Sequence, residues 1–145
     1  MPLSGAPYSL ADRFTGTWKE YTVTDQGEQL VGTLNVSWDL GGYVQVQRLQ
    51  AAEGPFALMA FGYLDPESGS WEETFILNSG RVARYRWREE GPDLLVERQG
   101  GNPNDLRRLR IQNLTTRAYD VLEESSLDGG EIWSVVEVTR TRRED

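Results

Sequence analysis

The chain contains no cysteine and no histidine, and Lys19 is the single lysine among its 15 basic residues. Without cysteine, a thiolate nucleophile, a disulfide, a zinc–thiolate site and an iron–sulfur cluster are excluded. Without histidine, a Ser-His-Asp triad, a histidine-ligated haem and nearly all zinc enzymes are excluded. We therefore expect no cofactor, and a metal ion would need a site made entirely of oxygen ligands.

Long hydrophobic runs are also lacking. The longest, at residues 56–64, has only about half the length that a membrane-spanning helix needs. The first ten residues contain neither a basic start nor an apolar segment of signal-peptide length. These features predict a cytoplasmic protein that does not associate with membranes.

The charge is strongly acidic, with 23 Asp and Glu against 15 Lys and Arg and a net charge of −8. A net negative field repels a phosphate backbone, so a nucleic-acid site would need a strong local basic patch. We expect no nucleic-acid partner.

The dominant pattern along the 145 residues is an alternation of apolar and polar positions, interrupted at short intervals by turn residues. Leu34, Val36 and Trp38, for example, alternate with Asn35 and Ser37, as in a half-buried strand. Ten segments of this kind follow one another at spacings of about ten residues, which is typical of an all-β barrel or sandwich. Because every link is short enough for a hairpin, an up-and-down order is the simplest topology.

The sequence thus predicts an all-β fold with a single antiparallel barrel of eight to ten strands. The expected organisation is an N-terminal segment at 1–13 with a short helix, a barrel domain at 14–141 and a charged tail at 142–145. A chain of this length suits one domain.

Gly16-Thr17-Trp18, at the start of the first strand, resembles the first-strand motif of the lipocalin-like, or calycin, superfamily. Three further segments resemble a bacterial lipocalin-like group of unknown function: 38–43 (WDLGGY), 62–71 (GYLDPESGSW) and 126–133 (SLDGGEIW). The resemblance implies a barrel whose closed end is plugged by Trp18, with an Arg of the last strand packed on it. Arg140 is the expected residue, with Arg142 as the alternative. The resemblance implies no catalytic residues.

Several polar residues share the parity of the apolar, inward set near the end of the barrel opposite Trp18. We expect these to line an open mouth: Arg48, Arg98, Arg107 and Glu123. The arginines would hold the anionic head of a ligand, because a guanidinium binds carboxylate or phosphate in a bidentate manner. The apolar part would lie against Phe61, Phe75, Tyr85, Trp87 and Tyr119.

The leading functional hypothesis is non-catalytic binding of a small apolar or amphipathic molecule, with an anionic ligand as one option. The competing interpretation is that the arginines are strand-end residues that reach water, with Glu123 as an ion-pair partner.

Two alternatives remain open at the level of the sequence. One is a barrel enzyme of unknown reaction that uses Glu123 or Tyr119 as acid or base. The other is a filled barrel that serves as a structural or interaction protein and forms a homodimer through a sheet face. Trp38, Trp71 and Trp133 are the candidate residues for such a face.

Overall fold

A computed structural model describes residues 5–144, so Asp145 and residues 1–4, which belong to the predicted tail and N-terminal segment, lie outside the described residues. One short helix precedes ten strands. The elements are α1 (Tyr8–Asp12), β1 (Gly16–Thr24), β2 (Gly27–Asp39), a 3₁₀ turn (Leu40–Gly42), β3 (Val44–Ala51), β4 (Ala57–Leu64), β5 (Trp71–Leu77), β6 (Val82–Glu90), β7 (Asp93–Gln99), β8 (Leu106–Gln112), β9 (Ala118–Ser126) and β10 (Ser134–Arg143).

The ten strands form one closed antiparallel barrel in which each strand pairs with its neighbours in sequence. Pairing of β1 with β10, with Trp18 opposite Arg143, closes the cylinder. The predicted all-β, single up-and-down barrel with a short N-terminal helix is therefore confirmed, at the upper limit of the expected strand number. Within residues 5–144, no helix has both the length and the apolar character required to cross a membrane.

The two ends of the barrel differ in what covers them. Odd-numbered strands start at the end where α1 lies, and the longer loops at 100–105 and 127–133 are at the other end. The amide of Gln45 donates to the carbonyl oxygen of Ala11 at 2.6 Å, and the indole of Trp38 donates to Asp12 at 2.8 Å. These bonds hold α1 across the first end, which we call the closed end.

Aromatic side chains fill the closed half of the barrel. Trp18, Trp71, Trp87 and Tyr119 are buried there together with Phe14. The ring of Tyr119 meets those of Phe14 and Trp18 edge to face, with centroids 5.2 and 5.1 Å apart. Such contacts add to the hydrophobic gain from burying large rings, so this cluster is the main core of the domain.

The cation over Trp18 is Arg143 rather than the expected Arg140 or Arg142. Its guanidinium carbon lies 4.1 Å from the indole centroid. Its nitrogens donate to the carbonyl oxygens of Thr15 and Thr116, each at 2.7 Å. The arginine thereby ties the last strand to the chain before β1 and to the β8–β9 loop.

Strand alternation explains why Arg140 and Arg142 are not the plug. Arg143 and Thr141 point into the barrel, so Arg140 and Arg142 point outward. Arg140 pairs with Asp120 at 2.9 Å, and Arg142 pairs with Glu28 at 2.8 Å. The last strand also continues to Arg143, two residues past the boundary that the sequence suggested for the barrel.

Gly16 is required where Arg143 crosses the first strand. Its φ is +132°, in a region that favours glycine, and a Cβ at this position would overlap with Nη1 of Arg143. The glycine and the tryptophan of the motif thus serve one contact, since the first leaves room for the guanidinium and the second supplies the ring beneath it.

Replacing Gly16 by alanine should destabilise the protein more than the same change at Gly27. Both glycines have positive φ, but a Cβ at Gly27 meets nothing within 4 Å. The difference between the two variants therefore isolates the clash with Arg143, which we expect to cost about 1–3 kcal/mol. Urea unfolding measures it, and equal losses in the two variants would contradict the packing described for Arg143.

Arg143→Met should lower the free energy of unfolding by about 2–4 kcal/mol, because the cation–π contact and the charged hydrogen bonds to two carbonyl groups are lost. Arg140→Met is the matched control, since it removes only partly exposed ion pairs and should cost about 1 kcal/mol or less. The same unfolding experiment compares them. A larger loss for Arg140→Met than for Arg143→Met would contradict the structural role assigned to Arg143.

Candidate ligand-binding site

A cavity of about 570 Å³ occupies the end of the barrel opposite α1. Strands β5 to β9 and the loop at 100–105 form its wall. The polar and aromatic lining residues are Arg81, Tyr85, Arg98, Asn102, Asp105, Arg107 and Glu123. The space lies where the sequence predicted the open mouth, at the end away from Trp18.

Four of the predicted site residues line this cavity. Arg98 and Arg107 come from the facing ends of β7 and β8, and Glu123 and Tyr85 come from β9 and β6. Phe75 packs edge to face on Tyr85, with centroids 5.0 Å apart. The structure thus brings these five predicted residues together at one end of the barrel.

Arg48 and Phe61 do not reach the cavity, which corrects their predicted placement. The parity of β3 was taken from Val44 and Val46, but the inward residues are Gln45 and Gln47. Arg48 therefore faces outward and is exposed.

Phe61 also lies on the outer side, because its neighbour Gly62 is the inward residue of β4. A Cβ at Gly62 would come within 2.8 Å of the Trp71 indole nitrogen. Interior space at this position is already taken by the Trp71 ring. Phe61 pairs across the strands with Val46, which is also on the outer face.

Trp87 and Tyr119 point inward but belong to the closed half rather than to the cavity. Tyr119 is 6% exposed and lies between Phe14 and Trp18. Burial, together with the charge of Glu20, raises the pKa of its hydroxyl above the ordinary value. These two predicted ligand contacts are core residues in this fold.

Arg107 is held by carboxylates of the cavity wall. Its Nε and Nη2 donate to Asp105 at 2.9 and 3.2 Å, and its Nη1 donates to Glu123 at 3.1 Å. Ser125 donates to Asp105 at 2.7 Å. The hydrogen bond from Arg107 lowers the pKa of Asp105, so the group is ionised and Arg107 is largely neutralised.

Arg98 differs from Arg107 because, within residues 5–144, it forms no ion pair. Its guanidinium carbon lies 5.9 Å from the Tyr85 ring centroid, and its buried Nε has no hydrogen-bond partner. Arg81, which directly precedes β6, also lines the cavity and forms no ion pair in the described part of the chain. A buried nitrogen without a partner is costly, and the guanidinium group to which it belongs lines the cavity, so this wall is suited to an anion.

Glu73 is a buried acid that the sequence analysis did not assign to the interior. It is 3% exposed and accepts hydrogen bonds from the Trp87 indole and, at 2.8 Å, from the amide of Gln47. Burial raises its pKa from 4.5 to about 7, against the opposing effect of the two hydrogen bonds. The carboxyl group lies at the level of Tyr85, its partner across β5 and β6.

Glu20 is a second interior acid, placed one inward position beyond Trp18 on β1. Burial and the nearby charge of Glu137 raise its pKa from 4.5 to about 7. Strand alternation offered a signal for both acids, since Glu20 shares the parity of Trp18, and Glu73 shares that of Trp71 and Phe75. Their polar character obscured this signal, because parity was read from apolar residues.

Within residues 5–144, no three Asp or Glu side chains come together in a way that could hold a metal ion. The acids of the cavity wall, Asp105 and Glu123, are instead bridged by Arg107. The arrangement is suited to binding an organic anion at Arg98 rather than a cation.

Comparison with models of known protein families gives no match, and comparison with curated proteins gives none either. The chain is therefore classed by its architecture, as a closed ten-stranded antiparallel up-and-down barrel with a cavity at one end.

Glu73→Gln should change how stability depends on pH. Because the pKa of Glu73 is about 7 in the folded state, against 4.5 as its ordinary value, the folded protein holds a proton that the unfolded chain has lost between these pH values. The free energy of unfolding therefore falls as pH rises through this window, by on the order of 3 kcal/mol from this group.

We expect the variant to lose this part of the decline, while Glu20 contributes in the same direction in both proteins. Urea unfolding at several pH values between 4.5 and 7.5 measures how the free energy of unfolding of each protein depends on pH. Glu67→Gln, in an exposed turn, is the control and should follow the wild type. Parallel curves for wild type and Glu73→Gln would contradict the burial of this carboxyl group.

Proposed function

We propose that this barrel binds a small anionic molecule in the cavity at its open end, without catalysing a reaction on it. The observation that carries the proposal is Arg98, a cation on the cavity wall with a buried nitrogen that lacks a partner. An anionic group at this position would satisfy the guanidinium with charge-assisted hydrogen bonds.

The surroundings of Arg98 support an anion over a neutral apolar ligand. Arg81 adds a second positive charge to the same wall, while Arg107 is already neutralised by Asp105 and Glu123. The ring of Tyr85 offers an aromatic surface beside the charge, so an amphipathic anion also finds an apolar contact here. A purely apolar ligand would leave the guanidinium of Arg98 without an anionic partner.

We further propose that the chain is a lipocalin-like binding barrel. The first-strand motif supports this proposal. Trp18 plugs the closed end, an arginine of the last strand covers its indole, and Gly16 leaves room for the guanidinium of that arginine. The residue in that role is Arg143.

The enzyme alternative has less support from the geometry. Glu123 is half-exposed and ion-paired with Arg107 at 3.1 Å, so it is not poised as a buried acid facing an empty cavity. Tyr119 lies in the aromatic core, and its raised pKa makes it a weaker acid than an ordinary tyrosine. Glu123 is thus held by a cation, and Tyr119 does not line the cavity, so neither residue is placed as an acid or base toward a ligand there.

The filled-barrel alternative is also less favoured, because a cavity of about 570 Å³ remains at the open end. Of the three tryptophans considered for a docking face, Trp71 is 1% exposed and Trp38 is half-buried against α1. Trp133 is half-buried as well, with the Arg108 guanidinium 3.8 Å from its ring centroid. They do not form a shared exposed patch.

Isothermal titration with phenyl phosphate tests the proposal, since this probe combines a compact anion with one aromatic ring. The wild type should bind it, and Arg98→Gln should weaken binding by about 10- to 100-fold, as expected for loss of a charge-assisted contact.

Arg48→Gln is the matched control, because Arg48 is an arginine near the same end of the barrel but on the outer face. It should bind phenyl phosphate as the wild type does. An absence of binding to the wild type, or equal affinities for the wild type and Arg98→Gln, would overturn the proposal.

A further inference from the structure

The polar groups around Arg98 are of mixed kind, which bears on the chemistry of the ligand. Glu123 uses Oε1 to accept from Arg107, but Oε2 accepts no hydrogen bond from the described residues. Asn102 uses its Oδ1 to accept from the backbone of Asn104, while its side-chain amide nitrogen has no acceptor there. The cavity thus offers an acceptor and a donor in addition to the cations.

The free Oε2 of Glu123 belongs to a side chain that is 36% exposed, so a ligand that covers this oxygen must supply a donor in place of water. A second anionic group would be repelled by Glu123, and a purely hydrocarbon segment would leave Oε2 unsatisfied. A hydroxyl group fits both neighbours, because it donates to the carboxylate and accepts from the amide of Asn102.

The interior below the cavity limits the length of the ligand. Tyr85 lines the cavity and packs on Phe75, and the barrel wall at the level of Tyr85 carries the buried carboxyl group of Glu73, hydrogen-bonded to Gln47. A long hydrocarbon chain entering the barrel would have to displace the rings and lie against these polar groups. The aliphatic lining of the cavity itself is small, consisting of Leu77 and Ala83.

We propose that the ligand is a compact hydroxylated anion of about sugar size, such as a sugar phosphate or a sugar acid, and not a long-chain acid. In this arrangement Arg98 and Arg81 hold the anionic group, and Glu123 and Asn102 hold the hydroxyl groups. The inference rests on the proposed function, since it specifies the ligand of the same cavity.

Isothermal titration compares glucose 6-phosphate and glucuronate with phenyl phosphate, glucose and laurate. At least one of the two hydroxylated anions should bind about tenfold or more tightly than phenyl phosphate, glucose and laurate. The better of the two identifies the anionic group as phosphate or carboxylate. Arg98→Gln should weaken its binding as it weakens that of phenyl phosphate.

Glu123→Ala separates the hydroxyl contact from the charge. Removing a negative charge favours every anion, so the informative quantity is the affinity for the better hydroxylated anion divided by that for phenyl phosphate. We expect this ratio to fall about five- to tenfold in the variant, whereas Arg48→Gln should leave it unchanged.

Failure of this inference is distinguishable from failure of the proposed function. If phenyl phosphate or laurate binds in a manner that depends on Arg98, but neither hydroxylated anion binds more tightly, the cavity binds anions and the hydroxylated class is wrong. An unchanged ratio in Glu123→Ala overturns the hydroxyl contact. If no anion in the set binds, both proposals are wrong.

Discussion

The contact of Arg143 with the indole of Trp18 is the interaction on which the rest of the structure depends. It joins the last strand to the first at the point of closure and ties both to the β8–β9 loop through the carbonyl group of Thr116. A closed barrel has no free sheet edges, so closure removes the unpaired backbone groups that an open sheet would expose. The aromatic core of the closed half packs against the Trp18 ring on which Arg143 lies.

The barrel is divided into an aromatic half and a polar half, and this division creates the candidate site. Rings around Trp18 and Tyr119 fill the closed half, whereas Glu20, Glu73 and Arg98 lie inside with polar or charged groups. Buried acids with a pKa near 7 lower the stability at neutral pH, because ionising them in the folded state costs free energy. A chain selected for stability alone has little reason to retain such acids.

The alternation of apolar residues predicts which side chains point into the barrel where the interior is apolar. It does not predict this where the interior is polar. On β7 and β8, Leu94, Val96 and Ile111 face inward, and Arg98 and Arg107, which share their parity, line the cavity. On β3 the inward positions are glutamines, so the apolar residues indicated the outer face and Arg48 was misplaced. On β10 the threonines and Arg143 are inside, and the arginine of the plug was likewise missed.

The number of strands, their order and the glycine–tryptophan motif of β1 follow from local patterns, because turn residues and alternation act over a few neighbouring positions. Which face of a polar strand is buried does not follow from such patterns. That choice depends on partners that are distant in the chain. Gln45 donates a hydrogen bond to Ala11, and Glu73 accepts one from Trp87. The guanidinium of Arg143 packs on the ring of Trp18. A polar side chain can be buried only where such a partner meets it, and closure of the barrel is what brings these partners together.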